Sequence, residues 1–153
     1  MRLLVAAWLV ACAVSACSFN NSSTASSART SPSGSPLAAA SGLLDAQVPM
    51  PPDFPADVPI FTGARLTAGA GFSSNGEVAW GMEWEALAPL TNVHAFYAKQ
   101  LNQGDWTVTF NSNTAEAFTA AFSRKSNARS GGTLAGNAGG GLTKILMSLV
   151  NRA

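Results

Sequence analysis

The chain has 153 residues, of which 47% are hydrophobic and only 11% charged, and nine basic residues against eight acidic ones leave a formal net charge of +1. That balance argues against a nucleic-acid surface, which needs a clustered basic footprint, and supplies no electrostatic pull toward anionic lipid. Both cysteines, Cys12 and Cys17, stand near the start. The body of the chain therefore offers neither a disulfide nor a cysteine-ligated metal.

Met1-Arg2 forms a one-charge n-region, and an apolar run from Leu3 to Ala16 follows, with Ser15 its only polar side chain. The run is shorter than the roughly 18–20 residues a membrane-spanning helix needs, and its length suits a secretory signal. It closes on Val14-Ser15-Ala16-Cys17, an aliphatic residue, two small residues and a cysteine. This resembles the lipobox of bacterial lipoproteins. The resemblance implies diacylglyceryl transfer to the Cys17 thiol, cleavage just before it by signal peptidase II, and acylation of the new amine. Leu9-Val10-Ala11-Cys12 fits the same pattern, but leaves only about six apolar residues ahead of its box, below the roughly 7–15 of a working h-region. Residues 1–16 are therefore read as signal peptide and Cys17 as the lipidation site. Each buried methylene contributes about 0.8 kcal/mol, so two or three acyl chains anchor a protein with no spanning helix. The expected location is the cell envelope, on the extracytoplasmic side of the cell membrane or outer membrane.

Residues 17–47 follow as a tether. Between 18 and 42 nine residues are serine, Arg29 is the only charge, and Phe19 and Leu37 are the only large apolar side chains. Such a stretch buries too little apolar surface to offset the entropy of ordering it. A plain spacer and a glycosylated Ser/Thr cluster both fit it. Residues 48–59, VPMPPDFPADVP, carry five prolines, which stiffen the chain. They are read as a collar leading into a domain at 60–153, long enough for one core.

Within that domain ARLTAGAGF alternates weakly, and Asn75-Gly76 marks a hairpin because both residues tolerate positive φ. EVAWGMEWEA then has period two, with Val78, Trp80, Met82 and Trp84 on one face and Ala79, Gly81, Glu83 and Glu85 on the other. In LTNVHAFYAKQL, residues 90–101, Leu90, Val93, Tyr97 and Leu101 recur at helical spacing, with Phe96 beside them. DWTVTF, TAEAFTAAFSRK, GGTLAGNA and GLTKILMSLVNR follow, separated by turn residues. The pattern predicts an α+β fold: an antiparallel sheet of five to six strands, built as a hairpin, one helix and a meander, with the helix on one face. The other face is small or polar and can meet water. The segment DVPIFTGA, with Phe96-Tyr97, Leu101, Gly104 and Trp106, is similar to small bacterial lipoprotein domains that open with a DVPIYPGA-like segment. That resemblance implies no activity.

No residue pattern points to catalysis, a cofactor or a metal. His94 is the only histidine and is expected as a lone exposed side chain, since a zinc site needs more ligands. Glu83 and Glu85 share one outward face and read as solvated, although paired carboxylates can perform acid–base chemistry. SGGTLAGNAGGGLTK, residues 130–144, lacks the lysine directly after its last glycine that a phosphate loop requires. The expectation is a non-enzymatic lipoprotein, held on a membrane through Cys17, acting as an interaction or envelope-accessory module with an envelope protein as partner and no nucleic acid. Its candidate contact surfaces are the small-residue face and Leu146 and Val150 of the last strand, which can also pair with another chain if it lies at an edge. The alternative is a binder of a small apolar ligand or lipid among Trp80, Trp84, Phe96 and Trp106, rings that would otherwise fill the core.

Overall fold

The computed structural model describes residues 43–152. Six strands and one helix follow in the order β1 (Arg65–Ser74), β2 (Glu77–Ala86), α1 (Leu90–Gln100), β3 (Trp106–Asn113), β4 (Ala117–Arg124), β5 (Gly131–Gly139) and β6 (Leu142–Arg152). The strands form a single antiparallel sheet ordered β1-β2-β6-β5-β4-β3. The fold is α+β in its elements and mostly β in its content.

Local chemistry explains most element ends. Asn75 and Gly76 take φ of 51° and 79°, the left-handed pair that a two-residue hairpin requires. Gly140 and Gly141, at 60° and 82°, turn the chain from β5 into β6. Pro89 precedes α1 without a side-chain cap, and the backbone N–H groups of Leu101 and Asn102 close the helix onto the Tyr97 and Lys99 carbonyls.

The last strand is not at an edge. β6 lies between β2 and β5, with Trp80 opposite Leu149 and Leu134 opposite Met147. An apolar strand buried on one side is better satisfied by two neighbours than by one, because every backbone group then has a partner. The edges are β1 and β3.

Alternation divides the side chains cleanly. The inner face carries Trp80, Met82 and Trp84 from β2, Ile145, Met147 and Leu149 from β6, and Phe118 and Phe122 from β4, all buried. Leu90, Val93, Tyr97 and Leu101 belong to the same buried cluster. Gly136 of β5 sits under the Phe118 ring, where a Cβ would collide with it. The outer face carries small and hydroxyl side chains, including cross-strand pairs Thr133–Ser148 and Ser112–Thr119, each with oxygens 2.9 Å apart.

Residues 43–61 lie on the sheet. The N–H of Asp45 donates to Glu85 Oε2 at 2.8 Å, and that of Val48 to the Leu66 carbonyl on the β1 edge at 2.9 Å. The chain then passes onto the inner face. Pro51 is buried against Gly69 and Gly71, where added Cβ atoms would stand 3.1 Å and 3.8 Å from it. Asp53, at φ 61°, makes the bend that brings Phe54 edge-on to Trp80 and Trp84, at centroid distances of 6.0 and 6.2 Å. Val58 is buried, and Leu44 is 8% exposed. The segment expected as a tether end and collar is a strap that reaches from the outer face, round β1, to the far side of the inner face. Its prolines suit that path: an extended strap lying across side chains has few backbone donors to satisfy.

Candidate functional site

Cys17, the segment expected as a signal peptide and most of the expected tether lie outside the described residues. The remaining candidates fall into four places.

The four aromatic candidates do not line one space. Trp80 and Trp84 are 3% and 1% exposed and are closed over by Phe54. Trp106 packs edge-on to Phe122 at 5.5 Å, with the Arg124 guanidinium 4.2 Å above its ring. Phe96 is half-buried between Phe61 and Tyr97, at 5.3 and 5.1 Å. The indole N–H groups of Trp80 and Trp106 are turned to the strap, donating to the Pro52 carbonyl at 3.4 Å and the Asp57 carbonyl at 3.2 Å respectively. The sequence signal for this arrangement was Phe54, an aromatic residue among prolines.

The strap is latched at both ends by charge. At its distal end Arg124 forms a bidentate pair with Asp57 at 2.7 and 2.9 Å and reaches Asp105 at 3.3 Å. The Arg124 hydrogen bond holds the Asp57 carboxyl below its usual range, and hydrogen bonds from Ser126 do the same for Asp105. At the proximal end Lys144 lies 3.0 Å from both Glu83 and Glu85. Glu85 is not on a solvated face: it is 2% exposed. Burial opposes its ionisation, but the Asp45 N–H and Lys144 outweigh that, and its carboxyl sits below the ordinary value. Both carboxylates raise the Lys144 ammonium. A lysine shared between the two glutamates makes this an electrostatic latch, and the lowered Glu85 carboxyl is held as an ion-pair partner rather than poised as an acid.

His94 is not an exposed helix side chain. It is half-buried, its ring centroid 4.2 Å from Phe110 and 5.3 Å from Phe118. The preceding helical turn leaves it directed at β3 and β4, where its ring serves as packing. Tyr97 is fully buried, and burial pushes its phenol well above the ordinary value. Its hydroxyl has no hydrogen-bond partner among the described residues, and the nearby Phe61 backbone offsets the effect of burial only in part. Among the described residues no three His, Cys, Asp or Glu side chains gather as a metal site would require, and no helix is long and apolar enough to cross a membrane.

The outer face holds an open depression of about 390 Å³, lined by Ala68, Gly81, Glu83, Thr133, Leu146 and Ser148 among others. Leu146 is 40% exposed within it. Val150, the other apolar outer position of β6, is half-buried. No protein-family model, curated protein or solved structure matches the chain.

Proposed function

We propose that the protein is a lipid-anchored, non-enzymatic module on the extracytoplasmic side of a bacterial envelope, in which α1 and the strap together cover the inner face of the sheet and leave the outer face for contact. The observation that carries the anchoring is Val14-Ser15-Ala16-Cys17 at the end of a short apolar leader. Support for the layered domain comes from the shared burial of Val93, Tyr97 and Leu101 with the inner-face rings, and from the ring contacts of His94 with Phe110 and Phe118. The ligand-binding alternative loses support because its four rings pack in separate groups against protein atoms.

The anchoring test is covalent. In cells fed a clickable fatty acid, the wild-type chain takes label and sediments with membranes, whereas Cys17→Ser takes none and is released. Label that persists in Cys17→Ser and disappears in Cys12→Ser would overturn the assignment.

A further inference from the structure

We propose that the β1 edge is a self-association surface, through which two copies join antiparallel and each seats Phe72 in the outer-face depression of the other. The first observation is a contrast between the two edges. On β3 the Val108 N–H is taken up by Asn102 Oδ1 at 3.3 Å, and a bulge between Phe110 and Ser112 interrupts the strand. On β1 the bulge falls early, between Leu66 and Ala68, and Ala68 to Ser74 then run in unbroken register with β2. The strap's backbone is hydrogen-bonded to this edge at Leu66, its Pro51 lies over the inner face at Gly69 and Gly71, and residues 68–74 have no backbone partner on their other side among the described residues. That stretch, AGAGFSS, contains no lysine, proline or charge. Natural edge strands are ordinarily blunted by such residues, and an edge without them templates pairing with another strand.

The second observation is a knob and a hollow on the same face. Phe72 is 71% exposed and is the one large side chain between residues 68 and 74. Its register partner is Ala79, so it points to the outer face with Ala68 and Ala70. The depression begins at Ala68 and runs over Gly81 toward Leu146. A Cβ on Gly81 would meet nothing within 4 Å, so packing within one copy gives no reason for glycine there.

Antiparallel pairing about Ala70 joins these features. It sets Ala68 of each copy opposite Phe72 of the other, and directly opposed residues point to one face. The incoming ring then leans across Ala68 and Ala70 into the hollow that Gly81 leaves open. The pairing brings no like charges together: Glu83, the charged residue of the hollow, is held by Lys144 at 3.0 Å. A second copy fits better than an unrelated strand because the knob and the hollow are both present on every chain. Five paired residues, 68–72, and two rings make a contact smaller than a standard stable interface, so the association is concentration-dependent.

Sedimentation of the purified full chain between about 1 µM and about 1 mM tests this. The expected result is a shift from one copy to two, with Phe72→Glu weakening dimerisation by roughly 100-fold while the circular dichroism and melting curve stay unchanged. A second measurement does not depend on that variant. With Cys12 and Cys17 replaced by serine, Ala70→Cys should form a disulfide-linked dimer under mild oxidation, because directly opposed strand residues lie within disulfide reach. Ala121→Cys in the same background should stay reduced. One-copy mass across the whole range, a dimer indifferent to Phe72→Glu, or no cross-link at position 70 would each overturn the proposal.

Discussion

The two faces of this sheet are built from the same strands and differ by one residue in register, yet they obey different rules. On the inner face size matters: Trp84, Phe118 and Ile145 are each 1% exposed or less, and interior side chains at that density have no room to relax. On the outer face Thr119, Ala121 and Thr133 are exposed, and their replacement changes little that is packed. A period-two pattern therefore marks which substitutions this fold notices.

The contrast breaks most visibly at the rings. Phe118→Ala should destabilise the domain by about 3–5 kcal/mol, measured as a fall in the urea midpoint at unchanged slope. A loss below about 1 kcal/mol would mean that the inner face is loosely packed. An intermediate effect is expected where the strap crosses between faces. Glu85→Gln should cost about 2 kcal/mol, since it weakens charge-assisted hydrogen bonds at a buried site.

The same latch predicts a pH dependence. Asp57, Glu85 and Asp105 all have carboxyls below their ordinary values of 3.8, 4.5 and 3.8. In the acid range the unfolded chain therefore binds more protons than the folded one, and stability falls as pH falls. The contribution is fully present above those ordinary values and is lost as pH drops through the lower folded ones. Melting curves from pH 7 to pH 2 should show this loss, with a shallower decline in Glu85→Gln. The smallest effect belongs to the outer face. Ala121→Ser should change the midpoint by less than about 0.5 kcal/mol, and a larger change would show that this face is covered in the isolated chain.

Much of this division is legible in the sequence, because burial on one face leaves a local trace. The alternation from Val78 to Trp84, the helical stripe of Leu90, Val93, Tyr97 and Leu101, and the turn at Asn75-Gly76 each depend on neighbours in the chain. Features set by distant residues leave no such trace. Glu83 and Glu85 are equivalent in the pattern, and part of what separates them is the Asp45 N–H, which reaches the buried Glu85 from 40 residues away. The strap is hidden for a related reason: proline-rich composition reads as a spacer, while the glycines that receive Pro51 read as a weak strand. The half-burial of His94 escapes a stripe limited to Leu90, Val93, Tyr97 and Leu101, and the sequence leaves the place of β6 open because strand order is not a local property. The candidate site was legible only as a bare outer face; its hollow needs β1, β2, β5 and β6 side by side.

The central place of β6 also carries a consequence in time. Glu77 pairs with Arg152 and Ala86 with Thr143, so the opening hairpin cannot join the rest of the sheet until the eleven residues of β6 are available. A chain emerging from its N-terminus must wait with both halves unzipped, and pairings so remote in sequence are slow to find each other. Assembly is thus completed by a keystone delivered last. Truncation just before Leu142 should leave two fragments of sheet with nothing between them.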